Sequence, residues 1–292
     1  MAMTMVDRLR EALAECPASE RRVAQRLLAD YPMSGLHSAS ALARTVAVST
    51  PTVLRLITRL GFASYAAFQS ALRDELAAQL SSPLTKPGAA RAVSKGAACA
   101  AHLAFADAVC SNVRETFERL SSDEFAQITN VLGDPRMRVH VVGGRFTDAL
   151  ARYLSVQLRI LRPGVNHLDD QEANWVDQVL DFGKRDVLVV FDIRRYQANL
   201  LRLAQLATKR GTRLIVFTDQ WLSPIARHAD HVLSARIAVP SAWDSSAALL
   251  VIAEALLAAV TQAGWAAGSK RIRELEALRS AMVASDGASS AT

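Results

Sequence analysis

Acidic residues are missing from one long stretch near the N-terminus. Between positions 31 and 73 there is no Asp or Glu, and four arginines lie in the same stretch: Arg44, Arg55, Arg59 and Arg73. Because no carboxylate is present to repel phosphates, a surface built from this stretch suits nucleic acid. The net charge of the whole chain is only +6. Charge alone therefore does not establish nucleic-acid binding.

Cysteine and long apolar runs are also scarce in the 292 residues. The three cysteines, Cys16, Cys99 and Cys110, form no C-x-x-C pair and have no histidine nearby at ligand spacing. This pattern argues against a zinc site or a disulfide framework, so we predict buried thiols, no metal and no cofactor. No run of about 18 residues is apolar without a charge, and no basic-then-apolar leader opens the chain. We expect a cytoplasmic protein that does not enter a membrane.

Positions 38–62 have the pattern of two short helices joined by a tight turn. Four apolar residues share one face of the second helix: Val53, Leu56, Ile57 and Leu60. Their i, i+3, i+4, i+7 spacing predicts that this face is buried. Ser49 is placed to cap the helix by accepting a backbone N–H, and Pro51 falls in the first turn, so the helix is predicted to begin at about Thr50. Gly61 is expected to end it.

The opposite face of this helix carries hydroxyl groups near its N-terminus and guanidinium groups one and two turns later, which suits the major groove and the phosphates beside it. A shorter helix is predicted from Ser38 through Val46, with the turn at Ala47 and Val48. The alternative is an ordinary helical hairpin with a solvated arginine face. The predicted DNA-contacting residues are Arg44, Ser49, Thr50, Thr52, Arg55, Thr58 and Arg59.

The length of the chain favours two domains. Further helices are predicted at 19–30 and 63–80, after which residues 81–88 contain two prolines and a glycine, as linkers often do. We therefore predict a helix-turn-helix domain over 1–82, a linker over 83–95 and a second domain over 96–284. Residues 285–292 are small and polar and are expected to be a disordered tail.

The second domain begins with predicted helices at 95–120 and 122–132 and then alternates strands with helices. Near-continuous apolar strands are typical of a parallel sheet buried on both faces. We predict an all-α N-terminal domain followed by a three-layer α/β domain with a parallel sheet. An apolar helix over 246–260 is expected to be buried or to face a second copy. Strands are predicted at 138–142, 165–168, 187–191, 213–217 and 231–233, and helices between them at 148–161, 173–179, 197–210 and 222–229.

Polar and charged residues follow three of these strands. Ligands of parallel α/β sheets bind at the carboxyl ends of the strands, so these residues form the candidate effector site. The arginines among them offer bidentate contacts to a phosphate or a carboxylate, and they can equally pair with the neighbouring aspartates. Tryptophans such as Trp243 either pack in the core or stack on the effector. The candidate effector residues are Gly143, Gly144, Arg145, Thr147, Asp192, Arg194, Arg195, Tyr196 and Asp219.

Several segments together resemble the RpiR/MurR-type bacterial transcriptional regulators, which join an N-terminal helix-turn-helix domain to a C-terminal sugar isomerase (SIS) domain. The resemblance covers nearly the whole chain. The matching segments are Ser-Glu-Arg-Arg-Val-Ala at 19–24, Ala-Leu-Ala at 41–43, Val-Ser-Thr-Pro-Thr-Val-Leu-Arg at 48–55, Leu-Gly-Phe at 60–62, and, in the second domain, 204–207, 211–212, 216–219, 223–226 and 229–230.

This resemblance implies a sequence-specific DNA-binding regulator whose SIS-like domain dimerises and senses a sugar-phosphate-like or carboxylate metabolite. A homodimer or homotetramer implies a palindromic operator in double-stranded DNA. The chain departs from the family where Asp192 to Tyr196 replace the usual Ser-Gly-Thr loop, and where Ala47 stands at a turn position that is commonly Gly. The alternatives are a sugar phosphate isomerase with an accessory helical domain and an interaction module whose basic domain binds an acidic protein.

Overall fold

The computed structural model describes residues 4–80, 97–168 and 172–289 of the chain. The whole of the predicted linker, 83–95, lies outside the described residues. The N-terminal region is entirely helical, as the sequence predicts. Its helices are α1 (Met5–Glu15), α2 (Ala18–Ala29), α3 (Met33–Leu36), α4 (Ala39–Thr45), α5 (Thr50–Arg59) and α6 (Tyr65–Leu80).

Besides the single turn of α3, helix α1 is the element of this region that we did not predict. Thr4 and Asp7 form a capping box at its start, each side chain bonding the backbone N–H of the other. Met5, Leu9 and Ala12 then lie on its buried face. This face packs with α2, α4, α5 and α6 into one apolar core, so α1 is an integral part of the N-terminal fold.

The turn between α4 and α5 keeps its tight geometry although it lacks glycine. Ala47 has a φ of 51°, in the left-handed region that favours glycine. Its N–H donates to the carbonyl of Arg44 at 3.2 Å, and the Val48 N–H donates to that of Ala43 at 3.0 Å. Gly61, with a φ of 87°, follows the end of α5 as predicted. These two positions fix where the second helix of the motif begins and ends.

The C-terminal region is a five-stranded parallel sheet with the order β2-β1-β3-β4-β5. The predicted three-layer α/β class is correct. The strands are β1 (Arg138–Gly143), β2 (Val165–His167), β3 (Asp186–Phe191), β4 (Arg213–Asp219) and β5 (His231–Ala235). The helices are α7 (Ala97–Arg119), α8 (Ser122–Gly133), α9 (Asp148–Leu161), α10 (Glu172–Leu180), α11 (Ala198–Lys209), α12 (Ala247–Ala263) and α13 (Trp265–Ser289).

Two apolar clusters cover the two faces of the sheet. Helices α8, α9 and α12 share one cluster with the sheet, and α10 and α11 share the other. The central strand β3 is fully buried along its length. Helix α12 contributes Leu249, Ile252 and Leu256 to the first cluster, each completely buried. Of the two expectations for this helix, the structure therefore supports burial within the chain.

Three local expectations differ from the structure. The helix predicted over 222–229 is a single 3₁₀ turn, Pro224–His228, because Leu222 takes a positive φ of 62° and Ser223 caps the turn instead of continuing a helix. Helix α13 continues to Ser289, past the position where we expected the chain to fray. Cys16 is buried as predicted, but Cys110 is exposed on α7.

No helix in the described part of the chain is, by itself, both long and apolar enough to cross a bilayer. Helices α12 and α13 reach the required length and composition only as a pair, and that pair is bent by 101°.

Candidate functional site

Six of the seven predicted DNA-contacting residues lie around the outer face of α5. Arg44, Ser49, Arg55, Thr58 and Arg59 are exposed, and Thr50 is half-buried. The four residues predicted to face inward, Val53, Leu56, Ile57 and Leu60, are at most 5% exposed. Leu54, which we did not predict, is 42% exposed on the outer face. An apolar side chain at such a place can contact a thymine methyl group.

Two details of the recognition helix correct the prediction. The Ser49 side chain does not cap a backbone N–H, because its hydroxyl lies 2.9 Å from the Thr52 hydroxyl. Thr52 is only 5% exposed and is therefore not on the outer face. It lies one turn before Leu56 on the helix, at the edge of the buried face. Its oxygen accepts a hydrogen bond from Arg55 Nη2 at 3.1 Å.

A buried carboxylate lies behind the two arginines of α5. Glu20 on α2 accepts a hydrogen bond from Arg59 Nε at 3.0 Å, and its other oxygen lies 3.8 Å from Arg55 Nε. The Glu20 side chain is 5% exposed, whereas those of Arg55 and Arg59 are 64% and 43% exposed. In the sequence, Glu20 is part of the matching segment at 19–24, and no signal there points to this contact.

The candidate effector residues surround a cavity of about 580 Å³ at the carboxyl ends of β1 and β3. Six of the nine predicted residues line it. Gly143, Tyr196 and Asp219 do not. The lining residues are Gly144, Arg145, Phe146, Thr147, Asp192, Ile193, Arg194, Arg195, Gln197, Ala242, Trp243, Asp244 and Ser246.

The loop after β1 is held from within. The Thr147 hydroxyl donates to the carbonyl of Phe191 at 2.7 Å and accepts from the N–H of Gly144 at 2.9 Å. This hydroxyl therefore joins β1 to β3. Gly143 serves packing, because a Cβ there would lie 2.5 Å from the backbone of Asp148 at the start of α9.

Asp192 lines the cavity although its side chain is nearly inaccessible, the residue being 2% exposed. Its Oδ2 accepts a hydrogen bond from the Ser223 hydroxyl at 2.5 Å, and Oδ1 accepts from the N–H of Gln197 at 3.3 Å. Burial raises the pKa of Asp192 to about 7, against the lowering effect of these two hydrogen bonds. Its protonation therefore changes near neutral pH.

Asp219, one of the predicted effector residues, is fully buried and is not among the residues that line the cavity. Its carboxylate accepts from the backbone N–H groups of Arg194 and Trp221, at 2.6 and 2.9 Å, and from the Tyr196 hydroxyl at 2.7 Å. Burial raises the pKa of Asp219 to about 6. Asp219 and Tyr196 together fix the loop after β3.

The three arginines of the predicted site differ in their surroundings. Arg194 contacts Asp244 through Nη1, at 3.0 Å, and its side chain is 6% exposed. The sequence offered Asp192 and Asp219 as ion-pair partners, but the acidic partner is this residue near the start of α12. Arg145 and Arg195 are exposed, and neither forms an ion pair with the described residues. These two arginines therefore give the cavity its accessible positive charge.

Sequence reasoning missed the side of the cavity that is formed by residues 242–246. Trp243 is 56% exposed and meets Phe146 with a ring-centroid distance of 5.9 Å. Exposed aromatic rings are available for stacking, which was one of the two interpretations of Trp243. Ser246 precedes the first residue of α12, so the N-termini of α9 and α12 both border the cavity. Within the described residues no group of three potential metal ligands is present.

Two family models match the chain. The model of the helix-turn-helix domain of the rpiR family matches residues 3–79, and the model of the SIS domain matches residues 132–259. The chain has the RpiR/MurR regulator architecture. The N-terminal match identifies a DNA-binding regulator, and the order of the two matches is the order predicted from the sequence. A comparison with curated proteins found no match.

Solved structures of other proteins show a similar fold. The sugar isomerase domain of an RpiR transcription factor from Sphaerobacter thermophilus is 23% identical, covers 60% of this chain and 97% of its own, and has a TM-score of 0.55. The NanR protein of Vibrio vulnificus, solved in complex with ManNAc-6P, is 17% identical, covers 94% of this chain and 97% of its own, and has a TM-score of 0.53.

Proposed function

We propose that this RpiR/MurR-type chain binds specific DNA sequences through α5 and that a small anionic metabolite in the SIS-domain cavity changes that binding. The observation that carries the proposal is the outer face of α5, where Arg55, Thr58 and Arg59 are exposed opposite a buried and mainly apolar inner face. A helix with such a face enters the major groove in helix-turn-helix proteins. Arg44 and Ser49 lie beside it and suit contacts to phosphates.

The chemistry of the cavity supports an anionic ligand. Arg145 and Arg195 are exposed guanidinium groups that line it, and the N-terminal ends of two helices, with their partial positive charge, border the same space. The exposed rings of Phe146 and Trp243 add apolar surface for the body of the ligand. Sugar phosphates and carboxylates have this combination of charge and bulk, and NanR was solved with one sugar phosphate.

We propose regulation rather than catalysis for this cavity. An isomerase needs a general base beside its substrate and a cradle for the phosphate. The Thr147 hydroxyl is already bonded on both sides, and the Asp192 carboxylate is bonded to Ser223 and Gln197. Both groups therefore hold the loops in place in the described structure.

A second copy of the chain would complete the DNA-binding unit. Two copies related by a two-fold axis would present two recognition helices to a palindromic operator, as a homodimer or within a homotetramer. Exposed apolar side chains on α7 and α13 support self-association: Leu103, Phe105, Leu278 and Met282.

The two domains touch through charged groups, which gives the effector a route to the DNA-binding helices. Arg236 is 3% exposed and pairs with Asp7 on α1. Arg236 also begins the segment 236–246, which reaches the cavity wall at Asp244. The N–H of Ser245 donates to the carbonyl of Ile237 at 2.9 Å, so the two ends of this segment lie together. An anion that competes with Asp244 for Arg194 would shift the segment that carries Arg236.

The test uses a duplex that wild-type protein selects from a random DNA library. Arg55→Ala is expected to lower affinity for this duplex by about 10-fold or more, as loss of a bidentate base contact would. ManNAc-6P and other sugar phosphates are then added to the wild type and to the Arg145→Ala/Arg195→Ala variant, and DNA affinity is measured by fluorescence anisotropy. A response in the wild type that the double variant lacks supports the effector site.

Unchanged selective binding by a folded Arg55→Ala protein would contradict the assignment of the recognition face. An unchanged effector response in the arginine double variant would place the effector elsewhere. A folded wild type that selects no sequence would contradict the proposed function itself.

A further inference from the structure

Glu20 lies outside every candidate surface described so far, yet it contacts the recognition helix more closely than any other carboxylate in the described residues. It is on α2, its side chain is 5% exposed, and it lies between the Nε atoms of Arg55 and Arg59. A buried carboxylate is costly unless charged or polar partners offset the loss of water. The two arginines of α5 are the partners that the structure gives it.

The contact with Glu20 leaves much of both arginine side chains exposed, 64% of Arg55 and 43% of Arg59. Glu20 meets each arginine at Nε, the nitrogen nearest the aliphatic stem, so the carboxylate does not occupy the terminal Nη groups. On the other side, Arg55 Nη2 is bonded to the buried hydroxyl of Thr52, which in turn contacts Ser49. Glu20 and Thr52 together therefore hold the Arg55 guanidinium from two directions.

We propose that Glu20 is a positioning residue for DNA recognition, which fixes the orientation of Arg55 and Arg59 so that they discriminate between bases. The inference rests on the proposed DNA-contacting face of α5. An arginine that is already ordered loses less side-chain freedom when it forms a bidentate contact with guanine. The carboxylate also offsets part of the positive charge, which weakens attraction to phosphates of any sequence.

Glu20→Gln separates this role from a simple change of charge. The ratio of affinity for the selected duplex to affinity for a random-sequence duplex is expected to fall about 10-fold. Affinity for the random duplex should rise, with a steeper dependence on salt, because the helix gains net positive charge. Glu15→Gln is the matched control: it makes the same charge change at an exposed position of α1 and should leave the ratio unchanged.

Thr52→Val tests the other side of the arrangement without changing charge. Removal of the hydroxyl that accepts from Arg55 is expected to lower the same affinity ratio several-fold, while the salt dependence stays at the wild-type value. Thermal unfolding of each variant shows whether the domain is folded. If Glu20→Gln does not fold, Thr52→Val decides the outcome.

Unchanged affinity ratios in folded Glu20→Gln and Thr52→Val, combined with a loss of selective binding in Arg55→Ala, would overturn the positioning role alone. If Arg55→Ala also binds selectively, the proposed recognition face is wrong and the inference fails with it. Equal changes in the ratio for Glu20→Gln and Glu15→Gln would show that net charge, and not orientation, determines selectivity.

Discussion

At the scale of single residues, Asp192 is the group whose ionisation most affects the effector cavity. Its pKa is raised by burial from the ordinary value of 3.8 to about 7. Between these values the folded chain binds more protons than the unfolded chain. Asp192 therefore stabilises the folded chain most at low pH, where its carboxyl group is protonated. This contribution to the free energy of unfolding is lost as pH rises through about 7.

We expect Asp192→Asn to flatten this pH dependence. Between pH 5 and pH 8 the wild-type SIS domain should lose about 2 kcal/mol more stability than the variant, because the variant has no carboxyl group to ionise there. Urea unfolding at several pH values measures the difference. Asp177→Asn, at an exposed position of α10, should behave as the wild type does. A variant with the same pH profile as the wild type would contradict the raised pKa.

Ala47 is a second residue with a defined energetic consequence. Its φ of 51° is costly for a side chain with a Cβ but not for glycine. Ala47→Gly should therefore raise the free energy of unfolding of the N-terminal domain by about 0.5 kcal/mol or slightly more, after the extra backbone entropy of glycine in the unfolded chain is subtracted. Denaturant unfolding measures this change.

The control is Ala77→Gly, at an exposed position of α6, where the same substitution should lower stability by about 1 kcal/mol. If both substitutions destabilise the domain equally, the turn at Ala47 does not carry the strain that its φ indicates.

The inner face of α5 was predicted correctly because apolar residues that recur with the helical period of 3.6 share one face of the helix, and only burial of that face is favourable. Thr52 was predicted wrongly because a hydroxyl residue at the edge of that face suits either environment. In the buried position its hydroxyl contacts Ser49 and accepts from Arg55, and Arg55 in turn lies 3.8 Å from Glu20 on another helix.

At the scale of helices and strands, the close approach of the end of β1 to the start of α9 positions one side of the effector cavity. Gly143 allows the end of β1 to approach the first turn of α9, where a Cβ would lie 2.5 Å from the Asp148 backbone. Contacts this short force backbone atoms apart. The loop that carries Arg145 and Thr147 depends on this approach, because it connects the two elements.

Gly143→Ala should therefore destabilise the SIS domain by about 1–3 kcal/mol, the range for inserting a methyl group into a packed site. It should also weaken the effector response, since the Arg145 loop must move. Gly183→Ala is the matched control, because a Cβ there has nothing within 4 Å. Denaturant unfolding and the DNA-affinity response check the two effects. Equal stability of the two variants would contradict the close approach of Gly143 to the Asp148 backbone.

Helices and strands were predictable where their apolar residues recur regularly and polar segments separate them from the next element. All five strands were found within a few residues of their ends. The signal was strongest for β3 and β4, which are near-continuous apolar runs, and weakest for β2, which is Val-Asn-His. Helix α1 was missed although Thr4 and Asp7 offer a capping signal. The wall formed by residues 242–246 was not predictable, since it joins the loops after β1 and β3 only once the sheet has formed.

At the scale of the whole molecule, the contacts between the domains link the effector cavity to the DNA-binding helices. Ser223 bonds Asp192 in the cavity, and Ser223 also lines a second cavity between the domains, with Tyr31 and Leu28 on the opposite wall. Close by, Arg227 pairs with Asp30 at 2.9 Å. The loop from 222 to 227 therefore touches both sites.

Ser223→Ala should weaken the effect of the effector on DNA affinity several-fold, because it removes the hydrogen bond between Asp192 and this loop. DNA affinity without effector should remain within about twofold of the wild type, since the recognition face is untouched. Fluorescence anisotropy with and without the active sugar phosphate measures both quantities. Ser280→Ala, at an exposed position of α13, serves as the control. A full response in Ser223→Ala would exclude this loop as the route.

The most direct test of the whole account is to incubate the purified protein with sheared DNA of its source genome. Bound fragments are recovered and bound again in the presence of random competitor DNA at moderate salt. The account predicts a few enriched fragments that share an inverted repeat. Absence of enrichment, with weak binding that disappears as salt rises, would show non-specific charge attraction only and would contradict sequence-specific regulation.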